Sequence, residues 1–469
     1  MTADATLPVA PVLCAVRGSG ETAVVTALTA PGSGVSVARR CADLTELLAA
    51  AGAGAGTAAI ISADLPGINR ETVAHLHACG VRVVALGGGQ DWVADRLRAI
   101  GVDVVLEENT PSTVLVAAVR DEAHGRGRRD GRSGPPSGDV PDGQGGSGEH
   151  GPASRRGKVV AVWGPTGAPG RTTLAVHLAA ELAGSGERRA RRGGRRRRPG
   201  REAPSGTESG PRHEVLLVDA DTYAGSVAQH LGLLDESPGL AAAARSAGQG
   251  TLDLAGLARL APLVVPRLRV LTGITRAARW PELPATSLDV VWGLSRALAD
   301  WTVIDCGFGL EQDELLSYDT RAPQRNGATL SALAAADVVL VVGGSDAVGI
   351  QRLVRGLGDL ADSGTTNGTL RIVVANRVRS SAAGPRPAAA VRDALGRYGG
   401  VTDLHVVPDD RETLDAALLA GRTLAEHAPQ TPVGRAVAEL AERVRGAAGP
   451  VASTSAPGGP RERVPEPAH

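Results

Sequence analysis

The chain has 469 residues, which is more than one compact domain usually contains, so we expect two folded units and connecting segments. Its 50 basic and 50 acidic residues cancel, which removes net charge as an argument for a general binder of nucleic acid or anionic membranes. The four cysteines are too widely spaced for a disulfide framework or a zinc knuckle, and no run of about 18 apolar residues predicts a membrane span, so we expect a soluble cytoplasmic protein.

Residues 1–120 alternate short apolar runs with helical patterns. This alternation is typical of a parallel sheet that helices cover on both faces. The segment predicts a small five-stranded α/β domain, with strands at residues 11–16, 35–39, 57–62, 81–86 and 102–106.

Residues 121–157 lose this periodicity and are rich in Gly, Arg, Asp, Ser and Pro. Such a stretch cannot bury enough apolar surface to offset the entropy of ordering it. We therefore predict a disordered linker here, and a disordered tail over the Pro/Ser/Gly-rich residues 449–469.

Residues 158–448 form a second α/β series that ends in an amphipathic helical pattern. The fold class predicted for the whole chain is therefore α/β, with two doubly wound and mostly parallel sheets. The predicted strands of the second series lie at residues 159–163, 214–219, 268–273, 301–305, 337–343, 371–376 and 404–408.

An Arg-rich segment, residues 184–213, interrupts the second series between its first two strands. It contains ten arginines where a short loop would suffice. Two interpretations stay open at this point. The segment is either a solvated, disordered insertion, or an electrostatic clamp in which residues 188–201 bind nucleic acid, anionic lipid or an acidic partner.

A glycine-rich turn, GPTGAPGRTT at residues 164–173, follows the first strand of the second series and opens a long helical pattern. Glycines let backbone N–H groups close on phosphate oxygens, and a helix N-terminus adds its positive dipole end. Thr172 would offer a hydroxyl to Mg²⁺. The turn departs from the usual G-x-x-x-x-G-K-[ST] loop at Pro165 and Arg171, so an ordinary glycine-rich turn stays the alternative.

Polar side chains follow several of the later strands. Asp219 and Asp221 close the second strand of the series, and Asp305 closes a buried one. Each aspartate alone could be a helix cap or a turn residue. Because ligands of open α/β sheets bind at the carboxyl ends of the strands, we interpret the three together as positioners of metal and water.

From about residue 157 to residue 448 the chain resembles the MinD/ParA group of P-loop ATPases. The group's five motifs occur in order, as GPTGAPGRTT, VDAD, IDCGFG, ANR and VPDD. The resemblance implies that the chain binds ATP and Mg²⁺ and forms a homodimer.

The same resemblance implies roles for individual residues. Those that wrap the phosphates would be Gly167, Gly170, Arg171, Thr172 and Thr173. Thr172 and Asp305 would organise Mg²⁺ directly and through water, while Asp219 and Asp221 would face the metal and the attacking water. Adenine would be held by Asn376 and the turn that contains Pro408, Asp409 and Asp410.

Two departures from the group's pattern concern hydrolysis. Thr166 stands where the group carries a lysine that reaches a partner's nucleotide, and Arg171 stands where the loop lysine belongs. A planar guanidinium does not replace a slim ammonium without consequence. Losing one well-placed transition-state donor typically costs about 10²–10³ in rate, so we predict nucleotide binding with slow or absent hydrolysis.

Within the group, the CpaE/TadZ branch combines a lysine-free loop with a receiver-like N-terminal domain. Here the first domain resembles a receiver in which Ser62 replaces the phosphorylated aspartate. The acidic pair and the receiver lysine are also missing, so the resemblance implies a degenerate docking or dimerisation module. A generic α/β domain without a partner is the alternative.

The leading hypothesis is an ATP-binding protein at the cytoplasmic face of the membrane that positions or recruits a pilus or secretion assembly of the Tad type. A second hypothesis is a chromosome-partitioning or septum-site-determining ATPase that works with cell-division proteins or uses the Arg-rich segment on DNA. The third is a pseudo-ATPase scaffold that binds no nucleotide.

Overall fold

The computed structural model describes residues 9–120 except 19 and 88–89, and residues 156–449 except 168–169, 185–212, 234–237, 313–322 and 367. Within these ranges the chain forms two separate, mostly parallel sheets with helices on both faces, which confirms the predicted fold class. The predicted linker, nearly all of the Arg-rich segment and nearly all of the predicted tail lie outside the described residues. The proposed domain boundaries therefore stay predictions.

The first sheet has five parallel strands among the described residues, in the order β2-β1-β3-β4-β5, which is the 2-1-3-4-5 order of flavodoxin-like sheets. Its helices α1 and α5 cover one face, and α2, α3 and α4 cover the other. The bounds are β1 Ala10–Ala15, α1 Gly20–Leu28, β2 Val35–Arg40, α2 Leu44–Gly52, β3 Ala58–Ser62, α3 Arg70–Ala78, β4 Arg82–Leu86, α4 Asp91–Ala99, β5 Val104–Leu106 and α5 Ser112–Arg120.

The second sheet has eight strands among the described residues, in the order β13-β12-β11-β6-β10-β7-β9-β8. All seven predicted strands are present. The edge strand β8 was not predicted, because it has only three residues and pairs antiparallel with β9. The bounds are β6 Lys158–Trp163, β7 Val215–Ala220, β8 Leu263–Val265, β9 Leu268–Leu271, β10 Trp301–Cys306, β11 Val338–Gly344, β12 Leu370–Val378 and β13 Leu404–Pro408.

Helices cover both faces of the second sheet, and none of the described helices is long and apolar enough to span a membrane. Helices α6, α7 and α15–α17 lie on one face; α8, α10–α12 and α14 lie on the other. The bounds are α6 Arg171–Leu182, α7 Val227–His230, α8 Gly239–Gly248, α9 Leu254–Leu260, a 3₁₀ helix Ala277–Glu282, α10 Ala285–Leu298, α11 Gly327–Ala335, α12 Ala347–Asp362, α13 Ser380–Ala383, α14 Pro387–Gly399, α15 Arg411–Leu419, α16 Leu424–His427 and α17 Pro432–Ala447.

His213 lies at the end of the predicted Arg-rich insertion, yet it is packed into the fold. Its side chain is buried, and its ring meets the ring of Trp301 edge-on with centroids 6.2 Å apart. The residue leads directly into β7, so the apolar surface of the sheet already covers it. His213 therefore belongs to the folded unit and not to a disordered insertion.

The two α/β units touch through helices rather than through their sheets. Helix α3 packs against α8 and α10, and Arg96 of α4 donates from Nε to the carbonyl of Gln249 at 3.3 Å. A β-carbon built on Gly250 would lie 2.8 Å from Ile100 Cγ2, so a glycine permits this close approach. Burial lowers the pKa of Arg70 at this contact, while the carboxylate of Asp289 on α10 acts in the opposite direction.

A buried histidine links the helix after the glycine-rich turn to the C-terminal part of the chain. The backbone N–H of Leu424 donates to His177 Nδ1 at 3.2 Å, which requires an unprotonated ring nitrogen. Burial, with a smaller contribution from His230, lowers the pKa of His177 to about 3. The imidazole therefore stays neutral in the folded protein at every pH at which an exposed histidine titrates.

We expect this histidine to make the fold sensitive to acid. Below its ordinary value of 6.5 the unfolded chain takes up a proton that the folded chain refuses until the pH reaches about 3, so stability is lost as the pH falls through this window. The contribution is about 1.4 kcal/mol per pH unit. Urea unfolding between pH 7 and pH 4 should show a smaller loss in His177→Gln, which is neutral throughout. Parallel losses in the two proteins would contradict the assignment.

Candidate functional site

The glycine-rich turn connects the central strand β6 to helix α6. Gly170 is the N-cap of α6 in a left-handed conformation with φ of 87°, and no side chain caps the helix. A β-carbon built on Gly170 would lie 2.4 Å from Asn376 Nδ2, so only glycine fits both the backbone and the space. The first-turn N–H groups of α6 are therefore available to an anion.

Arg171 turns back beneath the loop that precedes it. Its Nη1 donates to the carbonyl of Gly164 at 3.0 Å, and its Nη2 lies 3.5 Å from Asp221 Oδ2. The guanidinium carbon lies 5.9 Å from the centre of the Phe308 ring. The side chain is only 13% exposed, and Nε has no hydrogen-bond partner among the described residues. Arg171 thus braces the loop and supplies a buried positive charge at its base.

Asp305 is a buried carboxylate without a hydrogen bond of normal geometry, although the hydroxyl of Thr172 lies near enough to act on it. It lies on β10 between Val162 of β6 and Asp219 of β7, and neither of its oxygens has a partner among the described residues. Burial and the neighbouring charge of Asp219 raise its pKa well above the ordinary value, while the hydroxyl of Thr172 and the charge of Arg171 act in the opposite direction. An orphaned carboxylate beside a threonine hydroxyl is a fit for a cation.

Asp219 is equally buried but has partners. Its Oδ1 accepts from the N–H of Asp221 at 3.2 Å, and its Oδ2 accepts from the N–H of Val227 at 3.1 Å. Burial is the main reason that its pKa rises to about 7, with a further contribution from Asp221. β-Carbons built on Gly225 and Gly273 would lie within 2.8 Å of this carboxylate, so two glycines leave room for it. Asp219 therefore anchors the segment that leads to α7, and its part at a metal stays a prediction.

Asp221 lies between this anchor and Arg171. Its Oδ1 accepts from the N–H groups of Tyr223 and Ala224, while its Oδ2 faces Arg171. The predicted water-positioning carboxylate is thus held by the chain itself, with one oxygen on the backbone and the other on a cation.

A cavity of about 410 Å³ opens beside the first turn of α6, a size that suits a nucleotide. Of the residues predicted from the sequence, those that line it are Gly170, Arg171, Thr172, Thr173, Asp221 and Asp409. Asn376 lines a small adjoining cavity of about 20 Å³, and Gly170 lies between the two cavities. Pro408 ends β13 directly before Asp409 without lining the larger cavity.

Gly167 is the one predicted phosphate contact that lies on another side of the loop. It is exposed, and its backbone faces Arg352 of helix α12 rather than the cavity beside α6. The described loop thus has two flanks with different surroundings.

The sequence did not predict the wall of the cavity that lies opposite the glycine-rich turn, here called the far wall. This wall is mainly basic and apolar, with Asp415 as an acidic member. Its residues belong to α6, to α7 and the segment before it, to the end of β12, and to α15 and the turn after it. A signal was present in the helical spacing of the segment after the VPDD motif, which puts one basic and apolar face on α15. The missed residues are His177, Ala224, Ser226, His230, Arg377, Arg411, Leu414, Asp415, Leu418 and Arg422.

Arg377 contributes to this wall through an unusual backbone. Its φ of 57° is one of two left-handed values outside glycine among the described residues. The pairing of β12 with β13 shifts register at this point, and the hydroxyl of Ser345 donates to the carbonyl of Arg377 at 2.7 Å. Non-glycine residues in this conformation cluster at functional sites. The irregularity brings the arginine to the cavity.

The carboxylates do not form a metal cage by themselves. No group of three or more His, Cys, Asp or Glu that could hold a metal occurs in the part of the chain that the structure describes. Mg²⁺ commonly uses one or two carboxylates and completes its shell with phosphate oxygens and waters. Asp305 and Thr172 therefore fit a Mg²⁺ ion that arrives with a nucleotide.

Comparison with known proteins finds likeness among solved structures only. No family model matches the chain, and no curated protein matches it. The cell division ATPase MinD of Pyrococcus furiosus is 18% identical, with 62% of this chain and 99% of that chain covered and a TM-score of 0.45. The septum site-determining protein MinD of Pyrococcus horikoshii, complexed with Mg-ADP, is 18% identical, with 63% and 99% covered and a TM-score of 0.45.

A ParA family ATPase from Chlorobium tepidum is 15% identical, with 61% of this chain and 99% of that chain covered and a TM-score of 0.44. Values this low carry no inference about function.

We expect Asp305→Asn to stabilise the nucleotide-free protein. The raised pKa means that wild type loses stability as the pH rises above the ordinary range of aspartate, and a neutral amide does not. The gain should be about 1–3 kcal/mol in the free energy of unfolding at pH 8 and smaller at pH 5. Urea unfolding at both values checks this.

Asp337→Asn is the matched control, because Asp337 is a partnered aspartate. Its Oδ2 accepts from Val159 N at 2.7 Å and from Arg296 Nη1 at 2.6 Å, so the same substitution should destabilise the protein. A loss of stability in Asp305→Asn at both pH values would count against a buried charge without a partner.

Proposed function

We propose that the chain binds ATP with Mg²⁺ in the cavity beside α6, in the manner of MinD/ParA-type ATPases, and hydrolyses it slowly or not at all. One observation carries this proposal: the uncapped start of α6 opens on a nucleotide-sized cavity, while a buried carboxylate without a partner lies behind its first turn. Backbone N–H groups bind the phosphates, and the orphaned carboxylate accepts the cation that comes with them.

The far wall of the cavity suits the rest of the nucleotide. Arg377, Arg411 and Arg422 provide cationic and planar groups, and Leu414 and Leu418 provide apolar contact. Arginine stacks on flat aromatic surfaces as well as pairing with phosphate. Asn376, directly behind Gly170, and Asp409 supply polar groups on the side predicted for adenine.

Slow hydrolysis follows from the way in which Asp221 and Arg171 are held. Oδ1 of Asp221 already accepts from two backbone N–H groups, so the attacking water would have to bind at Oδ2, which Arg171 faces at 3.5 Å. Arg171 likewise divides its donors between Gly164 and Asp221. Freeing either group for the reaction requires breaking contacts inside a site from which water is largely excluded, and this raises the barrier.

Titration calorimetry with ATP and Mg²⁺ should show binding by wild type, about 10- to 100-fold weakened in Arg171→Ala because a charged phosphate contact is lost. Phosphate release by wild type should be about 10²–10³ slower than that of a lysine-containing P-loop ATPase measured alongside. Arg171→Lys should raise it, because a single ammonium cannot span Gly164 and Asp221.

Arg259→Ala is the control for these measurements, since Arg259 is exposed on α9 and does not line the cavity. Fast turnover by wild type would refute slow hydrolysis. Absence of ATP binding by wild type would leave the nucleotide-free scaffold as the function.

We propose further that the chain acts as a homodimer that positions or recruits a pilus or secretion assembly of the Tad type, at the cytoplasmic face of the membrane through its partners. The support is the lysine-free loop together with the N-terminal unit. In that unit Ser62 ends β3, where its buried hydroxyl accepts from the N–H of Arg17 at 2.7 Å. A hydroxyl used to hold the β1–α1 connection suits a docking module better than a phosphate acceptor.

DNA binding separates this role from that of a partitioning or septum-site ATPase. We expect the purified chain to retard non-specific DNA weakly, because the formal net charge is zero. Mobility-shift assays at about 50 and 200 mM salt measure this. Tight binding that falls steeply with salt and disappears when residues 188–201 are deleted would favour the partitioning role instead.

A further inference from the structure

A second cavity, of about 580 Å³, lies on the other flank of the glycine-rich turn. It contacts the start of the loop at Pro165 and Thr166, whereas the cavity proposed for the nucleotide contacts the end of the loop from Gly170 onward. Trp163 and Phe308 contribute aromatic surface, and α12 contributes arginines. The proposed nucleotide site makes no use of this flank.

Helix α12 is seated directly against the loop. A β-carbon built on Gly356 would lie 2.9 Å from Pro165 Cβ, so the helix backbone meets the loop without an intervening side chain. The start of the helix is capped by Asp346, whose carboxylate accepts from the N–H of Gly349 at 2.8 Å. Leu353 and Leu360 are buried on the face that packs on the sheet. The position of α12 relative to the loop is therefore set by packing.

Arg352 lies one helical turn before Gly356, on the same face of α12. The three atoms nearest to a β-carbon built on Gly167 all belong to Arg352, with Nη1 at 2.0 Å, so the guanidinium lies directly on the loop backbone. Gly167 has a φ of 68°, and glycine thus meets both the conformational and the spatial requirement here.

Arg352 shares its cavity with the acidic residues Glu311, Asp359 and Asp362, but none of them is paired with it. Among the described residues it forms no ion pair and no hydrogen bond. Arg355 lines the same cavity one turn further along and does not reach Gly167. Thr166, the loop residue that lines the same cavity, is neutral. An unpaired guanidinium on the backbone of a phosphate-binding loop is placed to meet an anion that extends along that loop.

We propose that Arg352 binds the terminal phosphate of the nucleotide and thereby selects a triphosphate over a diphosphate. This inference rests on the proposed function. The proposal places the base in the cavity beside α6, the inner phosphates on the first-turn N–H groups and the terminal phosphate at Gly167. A third phosphate reaches Arg352 on the outer flank, and a diphosphate stops short of it.

The test compares wild type, Arg352→Ala, Arg352→Lys and Arg355→Ala by titration calorimetry with Mg-ATP and Mg-ADP. We expect Arg352→Ala to weaken ATP binding about 10- to 100-fold while ADP binding changes less than about threefold. Arg352→Lys should recover part of the loss. Arg355→Ala is the matched control from the same helix face, and it should bind both nucleotides as wild type does. Thermal unfolding verifies that the variants fold, which is expected because Arg352 is exposed.

The remaining outcomes each decide a different claim. Wild type that binds neither nucleotide overturns the proposed function, and the inference falls with it. Wild type that binds ATP, together with an Arg352→Ala variant whose ratio of ATP to ADP affinity is unchanged, overturns only the inference. Tighter ATP binding in Arg352→Ala also overturns it, because Arg352 would then obstruct the loop instead of serving it.

Discussion

Two carboxylates that water does not reach, Asp219 and Asp305, face each other on neighbouring strands of the second sheet. Their mutual repulsion and their burial both favour the neutral form, so a nearby positive charge or a cation stabilises this part of the molecule. Backbone N–H groups around Asp219 and the guanidinium of Arg171 supply part of this stabilisation. They leave Asp305 without a partner. This unbalanced negative charge is the reason that we place a metal ion beside the loop and the cavity.

The chain meets the demand for cations almost entirely with arginine. Its single lysine, Lys158, begins β6, where its ammonium lies 3.8 Å from Asp337 at the end of the strand away from the loop. The cationic side chains near the loop are therefore arginines, each with a planar guanidinium group. Such a group can contact two partners at once, as Arg171 does. It therefore holds the loop in place and moves less readily toward a reacting phosphate than the ammonium of lysine would.

The two arginines also divide the loop between them. Arg171 lies beneath it and connects the loop to Asp221, while Arg352 lies on its outer flank, delivered by a helix that Gly356 lets close in. Helices α8 and α10, which pack on the second sheet, also contact helix α3 of the N-terminal unit. The first unit therefore packs on the same helix layer that supports the strands of the candidate site, and the two units share no sheet.

Patterns along the chain were sufficient for the fold class, and they singled out several residues that lie at the candidate site. Apolar runs separated by helical periodicity define parallel strands, and such strands bring Asp219, Asp305 and Asn376 to one edge because their carboxyl ends meet there. The three-residue strand β8 is too short to carry a pattern. No local pattern predicted the contacts of individual polar groups. Examples are the hydrogen bonds from backbone N–H groups to Asp219, the lack of such bonds at Asp305, and the contact of Arg352 with Gly167. These depend on how helices from distant parts of the chain pack on the sheet, and packing at that scale follows from shape and volume across the whole core rather than from residue spacing.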